Sequence, residues 1–333
     1  MTAFQHRQSA HCESGVMASL LTHAGLPMSE PMAFGLASGL AFAYLPIVKI
    51  GGMPLIAYRM PPRHLIKTLS KRLGVRLTSR TFSNPEQGRV ALDAALDSGR
   101  LAGLQSSVFW LPYFPPEMRF HFNAHNLLAY GRDGDEYLLS DPVFEAPVRC
   151  ASADLQKARF AKGALAAKGL MYYLDDVSSE QDWERLIRQS VLSTSRILDG
   201  MPLPWIGIRG IQHLAKCVEA LDPAQAKYNR LYLTHIVRMQ EEIGTGGAGF
   251  RFMYASFLQE AGEKIGDASL QEASVRLTSV GDDWRQFASA CVRASRSKGE
   301  APDFRPIADS LRTIADQERA LMRELGAWAK RKG

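Results

Sequence analysis

The stretch His11-Cys12-Glu13-Ser14-Gly15-Val16-Met17-Ala18-Ser19-Leu20-Leu21 decides how the chain is read. Val16, Met17, Leu20 and Leu21 recur at helical spacing, so a helix starts here and buries that face, with Cys12 in its first turn. At a helix start, unpaired N–H groups and the macrodipole favour negative charge, which lowers a thiol pKa and offers donors to an oxyanion. Cys12 is therefore a candidate nucleophile, and a nucleophile needs a base. His125 opens the apolar run Asn126-Leu127-Leu128-Ala129-Tyr130, which reads as a strand. The turn Gly131-Arg132-Asp133-Gly134-Asp135 and a second strand, Tyr137-Leu138-Leu139-Ser140, lead on to Asp141-Pro142. In a hairpin of that length the two ends lie side by side, so His125 and Asp141 meet. A thiolate, an imidazole base and a carboxylate that orients the imidazole make the cysteine version of the catalytic triad.

Each of these residues has a plainer competing role. A lone cysteine is usually an inert buried thiol, but the helix start and the matching His/Asp pair favour the nucleophile. His121, four residues before His125, competes as the base and is assigned instead to the core or to substrate. A metal site on His121 and His125 lacks further local ligands, and none is expected. Asp141 before Pro142 also suits a plain turn. Gln5 and Gln8 lie just upstream of Cys12, and Gln8 is the candidate side-chain donor to an oxyanion, although a surface glutamine is the default. Cys150, Cys217 and Cys291 read as structural.

Bulk properties narrow the class. The chain has 333 residues, 46% of them hydrophobic, enough for two soluble domains. Its four cysteines show no CxxC spacing, so neither a disulfide framework nor a zinc cluster is indicated and a reducing cytoplasm fits. The first residues lack the apolar segment of a signal peptide. Pro31 to Val48 is the longest weakly polar run and reads as a close-packed core helix rather than a membrane span. Of the net charge of +6, most lies early: residues 1 to 175 carry 18 Lys/Arg against 13 Asp/Glu. Arg59, Arg63, Lys67, Lys71, Arg72, Arg76 and Arg80 occur with no acidic residue among them. Arg63, Lys67 and Lys71 share one helical face, which is either a solvated surface or a dock for an acidic partner. Few aromatics interleave this patch, so nucleic acid is a poor partner.

Along the chain, helices are expected over Met32 to Tyr44, after Pro61-Pro62 as far as Gly74, over Gln87 to Ser98 and from Ser152. Strands are expected near Leu55 to Tyr58, Val75 to Phe82, Leu101 to Leu111 and Leu170 to Leu174, besides the hairpin. This is an α+β domain, 1–176. From Val177 helical patterns dominate, which gives an all-α bundle over 177–333. Its unusual feature is Gly244-Thr245-Gly246-Gly247-Ala248-Gly249-Phe250-Arg251: a helix connection, or a flexible closure that brings Arg251 to a phosphate or carboxylate.

The order Cys12, His125, Asp141, with the cysteine starting a helix and the others on adjoining strands, resembles the papain-like arrangement. It is especially similar to the bacteriocin-leader-processing cysteine peptidases, whose histidine opens one strand and whose Asp-Pro closes the next. A resemblance over nearly the whole chain is to butirosin biosynthesis protein H and its relatives. It is carried by His11-Cys12-Glu13-Ser14, Leu26-Pro27-Met28-Ser29-Glu30, Phe34-Gly35-Leu36-Ala37-Ser38-Gly39-Leu40-Ala41-Phe42, Trp110-Leu111-Pro112-Tyr113, His121-Phe122-Asn123-Ala124-His125, Ser140-Asp141-Pro142 and Gly244-Thr245-Gly246-Gly247 with Phe250-Arg251. One departure is Gln105-Ser106-Ser107-Val108-Phe109, where an acidic residue is expected.

That resemblance implies an acyltransferase, with no bound cofactor, that takes an acyl group from the phosphopantetheine thioester of an acyl carrier protein and delivers it to a small-molecule amine. Tyr113, His121 and Arg251 are the candidate substrate contacts, and Arg63, Lys67 and Lys71 the candidate carrier dock. The competing functions are a cysteine peptidase or amidase, with water as acceptor, and a non-catalytic pathway helper that keeps the same fold.

Overall fold

A computed structural model describes residues 4–243, 246–297 and 302–331. They group into two compact units, Met1–Ala33 with Leu65–Gln181, and Phe34–His64 with Asp182–Gly333. This departs from a single cut after Asp176: the change of unit falls five residues later, and a segment from the first half of the chain joins the helices.

In the first unit, α1 (Cys12–His23) packs across a six-stranded antiparallel sheet built from β3 (Arg76–Arg80), β4 (Ala102–Ser106), β5 (His125–Asp133), β6 (Glu136–Ser140), β7 (Val148–Ala151) and β8 (Met171–Asp176). The strand order is β3-β8-β4-β5-β6-β7. Side chains alternate across a strand, so Leu104, Leu127, Leu139 and Met171 share one face. They form a core there with Leu92 of α4 (Pro85–Asp97) and with Leu155 and Ala158 of α5 (Ser152–Arg159). Gly103, Asn126, Leu128 and Tyr172 alternate onto the other face, as their cross-strand pairing requires. Burial on α1 extends from Glu13 through Leu21, well beyond the single apolar face. Gly15 explains the close fit. A Cβ there would stand 2.6 Å from the Ser9 side chain and 3.3 Å from the Pro142 ring. The first turn of α1 can therefore lie against the chain that follows β6.

The helix expected over Met32 to Tyr44 is present only as far as Leu36. α2 (Glu30–Leu36) stops early, and β1 (Leu40–Ile50) pairs antiparallel with β2 (Met53–Arg59). Phe42, Tyr44, Ile47 and Val48 suit a strand, and the two-residue loop Gly51-Gly52 has φ of 58° and 83°. A tight hairpin turn needs both central residues in that region. The small residues Gly35, Ala37 and Gly39 before β1 suit a close-packed helix as well, so the run alone does not separate the two.

This hairpin belongs to the second unit, with α6 (Trp183–Ser195), α7 (Gly207–Glu219), α8 (Ala226–Glu241), α9 (Arg251–Ile265), α10 (Ala268–Arg296) and α11 (Arg305–Lys330). Fully buried Trp284 is its centre, with the Phe42, Tyr58 and Phe287 rings 6.0, 5.5 and 5.8 Å away. Among the described residues no helix is long and apolar enough to cross a membrane.

Candidate active site

Cys12 is the first residue of α1, with His11 as its N-cap in extended conformation. Glu30 holds the approach to this turn. Its carboxylate accepts from the Ala10 N–H at 2.9 Å, the His11 N–H at 2.7 Å and the Ser14 hydroxyl at 3.1 Å. Burial raises the pKa of Glu30, and these hydrogen bonds oppose that rise. Residues 6–9 are tied to the end of β6. Ser9 N–H donates to the Pro142 carbonyl at 2.9 Å, and the His6 ring spans Ser140 Oγ at 2.7 Å and the Phe144 carbonyl at 2.9 Å. The nucleophile's helix start and the Asp141-Pro142 corner are thereby held together.

His125 is the first residue of β5 and is 4% exposed; Asp141 follows β6 and is fully buried. His125 Nε2 lies 2.7 Å from Asp141 Oδ2. The register explains why they share a side. Asp133↔Glu136 through Gly131↔Leu138 pair in one register, and Ala129↔Leu139 and Leu128↔Ser140 in another, one residue shifted. A one-residue slip moves every later side chain to the opposite face. Continued past Ser140, the shifted register sets Asp141 opposite Leu127, on the face that His125 shares.

Two more groups fix Asp141. The Tyr113 hydroxyl donates to Oδ2 at 2.9 Å and the Val143 N–H to Oδ1 at 3.1 Å. Burial disfavours the imidazolium of His125. Asp141's charge and hydrogen bond, aided by a hydrogen bond to Cys12, outweigh it and push the pKa up to about 10. At neutral pH the base is therefore an imidazolium beside the sulfur.

All four cysteines are unpaired thiols, but their settings differ. Cys150 is buried, and burial pushes its thiol up to about 12; burial likewise raises Cys291. Cys12 is only half-buried and adjoins both His125 and the amide of Asn126, whose Nδ2 stands 4.0 Å from Sγ.

Most of the other candidate residues have defined partners. The exposed Gln8 amide donates to the Val143 carbonyl at 3.2 Å, so it belongs to the N-terminal strap and does not point at an oxyanion. Tyr113 joins the triad, but its hydroxyl is committed to Asp141 and not to a substrate. His121 is exposed and stacks on Phe109, with ring centroids 4.0 Å apart. Arg251 is fully buried in the second unit and grips Glu318 through Nε at 2.8 Å and Nη2 at 3.0 Å, which leaves no guanidinium face for a phosphate. The glycine-rich connection before it is equally committed. Gly246 through Phe250 all have positive φ, Ala248 N–H donates to Glu241, and Ala248 to Phe250 are buried. Gly244 and Thr245 lie outside the described residues. Arg63 precedes α3 (His64–Leu73) in left-handed backbone conformation, so only Lys67 and Lys71 share the helical face, both exposed. Gln105, standing where an acidic residue was expected, donates to the Asn123 carbonyl at 2.7 Å and serves the fold. Among the described residues no group of three His, Cys, Asp or Glu is placed to hold a metal ion. No local pattern marks Asn126 or Glu30, which stand inside a longer apolar run and a helix-capping stretch.

Comparison with known proteins gives the family. Residues 153–325 match the model of a domain of unknown function, DUF4872, and residues 11–142 match that of butirosin biosynthesis protein H, N-terminal. The chain belongs to the family defined by DUF4872, whose model covers just over half of it, and its N-terminal part matches the butirosin biosynthesis protein H model. The N-terminal match starts one residue before Cys12 and ends one after Asp141, so it frames the candidate triad. A solved structure described as a C39-like peptidase from Bacillus anthracis is similar over 53% of this chain and 96% of its own, at 14% identity and a TM-score of 0.36. No curated protein matches the chain. The family and the site geometry fit a cysteine-type enzyme of the acyltransferase or peptidase kind.

Proposed function

We propose that this butirosin-protein-H-like chain is a cysteine-dependent acyltransferase that forms an amide. The observation that supports this reading most is the 2.7 Å His125–Asp141 pair beside a half-buried cysteine at a helix start. The matched family's name ties the same framework to biosynthesis rather than to degradation. In the first step the Cys12 thiolate attacks a thioester carbonyl. The tetrahedral intermediate collapses, the C–S bond to the donor's pantetheine breaks, and the leaving sulfur takes the proton from His125. Acyl-Cys12 remains, with His125 now neutral. An amine then attacks the acyl carbon, His125 accepts its proton, and the Cys12 thiolate leaves as the amide forms. Asp141 holds the imidazole through both steps. The donor is an acyl group on a carrier protein's phosphopantetheine arm, which the exposed Lys67 and Lys71 receive through the acidic surface of the carrier.

Intact-protein mass after incubation with a panel of acyl thioesters tests this, beside a Cys12→Ala control. The expected result is a mass gain equal to the acyl group, absent from the control and discharged by an amine as amide product. Release of free acid at a rate indifferent to added amine makes the protein a hydrolase instead. An acyl adduct retained in Cys12→Ala, or normal pathway function of that variant, overturns the reading.

A further inference from the structure

An acyl-transfer site needs donors aimed at the oxygen that becomes negative, and Gln8, the residue expected to supply the side-chain donor, is spent on Val143. The residue next to the base has the required geometry. Asn126 is 2% exposed and follows His125 on β5, so the two side chains leave the strand on opposite sides and flank Cys12. Its Nδ2 donates to the Ala124 carbonyl at 3.2 Å and stands 4.0 Å from Cys12 Sγ. Tyr172 meets Oδ1 at 3.0 Å.

These contacts decide which way the amide faces. A backbone carbonyl only accepts, so the atom beside Ala124 is the nitrogen. Its second hydrogen is then directed to the Cys12 side, and Tyr172 must donate to Oδ1. Burial first, then the nearby Glu13 and Cys12, holds the Tyr172 phenol well above its usual pKa, so it keeps the proton it donates. A 4.0 Å separation is long for a bond to sulfur but suits a different acceptor. An oxygen on the carbon newly bonded to Sγ sits between the two atoms, within the roughly 2.7–3.1 Å reach of an oxyanion donor.

We propose that Asn126 is the side-chain donor of the oxyanion hole, partnering the backbone N–H groups at the start of α1, and that Tyr172 is the positioning residue that locks its amide. The inference rests on the acyl-transfer reading and refines the site that reading uses. It also accounts for Gly103. A Cβ there would stand 2.3 Å from the Tyr172 ring, so the missing side chain lets Tyr172 lie flat enough to reach Asn126.

The test compares two reactions of the same sulfur in the full chain: acetylation by acetyl-N-acetylcysteamine, which passes through an oxyanion, and alkylation by iodoacetamide, which does not. Asn126→Ala and the similarly sized, uncharged Asn126→Leu are each expected to slow acetylation about 10²- to 10³-fold, while alkylation stays within a few-fold of the parent. Tyr172→Phe is expected to lose less in acetylation, roughly tenfold, again with alkylation preserved. Parallel loss of both reactions would mean that Asn126 serves the thiolate or the fold, and overturns the assignment. Undiminished acetylation of the Asn126 variants, with a blank Cys12→Ala control, overturns it too while the acyl-transfer reading stands. A parent protein that takes no acyl group on Cys12 removes both.

Discussion

Each unit holds a fully buried carboxylate that a cation and an aromatic donor close on, and the two outcomes differ. Asp141 is fully buried and accepts from an imidazole at 2.7 Å and a tyrosine hydroxyl at 2.9 Å. Glu318 is fully buried and accepts from a guanidinium at 2.8 and 3.0 Å and from Trp284 Nε1 at 2.8 Å. Both are cation and aromatic donor closing on one anion. Arginine cannot release its proton, and the Arg251 guanidinium also spends Nη1 on the Gly249 carbonyl at 2.8 Å and lies over the Trp284 ring. That network is closed. Histidine titrates, and its bond to Asp141 uses only Nε2, so the other side of the ring remains for Cys12. A buried ion pair is thus structural or chemical according to whether one member can still hand over a proton.

The comparison is broken most completely at the sulfur: Cys12→Ala is expected to abolish acyl-adduct formation while circular dichroism and thermal melting stay at parent values. Asp141→Asn keeps the shape but removes the charge that raises His125. Acyl transfer should fall about 10³- to 10⁴-fold, and the alkaline limb of its pH profile, near pH 10 in the parent, should move toward neutrality. The same variant gives a stability test. A folded-state pKa raised above 6.5 stabilises fully below pH 6.5, and that contribution disappears as pH rises through about 10. The gap in melting temperature between parent and Asp141→Asn should therefore be widest below 6.5 and close toward 10. A gap that widens with pH would contradict the ion pair.

In the helical unit, Glu318→Leu strands a buried guanidinium and should cost about 3–5 kcal/mol by denaturant unfolding. The double change Arg251→Met/Glu318→Leu should recover most of that. Gly15→Ala, which presses a methyl onto Ser9 and Pro142, should cost about 1–3 kcal/mol and slow acylation more than it slows alkylation. Smallest of all, Lys67→Glu/Lys71→Glu should raise KM for a carrier-bound donor and leave that for a small thioester unchanged. Equal effects on both donors would remove the carrier dock from these residues.

Much of the site was legible because its signals are local. An apolar run at helical spacing marks where α1 begins, and apolar runs on either side of a glycine-containing turn mark a hairpin with His125 and Asp141 at its ends. The helical half was equally clear from its periodicity. β2 is legible near Leu55 to Tyr58, but β1 is not, because small and aromatic residues between Pro31 and Val48 satisfy a buried helix and a buried strand equally well, and only the Gly51-Gly52 turn separates them. Arg251 looked available beside a run of glycines, since nothing nearby announces Glu318, 67 positions away.

The sequence by itself determined that Cys12 begins a helix, that His125 and Asp141 end a hairpin, and that helices fill the second half, since capping, turns and periodicity act over a few residues. Only the tertiary structure decided that Asp141 lies on the face of His125, that Tyr113 and Asn126 join the site, that Gln8 and Arg251 are committed to Val143 and Glu318, and that Phe34–His64 packs with the helices. Side chains alternate every residue along a strand, so the single register shift between Ala129 and Gly131 reverses a face, and no local pattern encodes it.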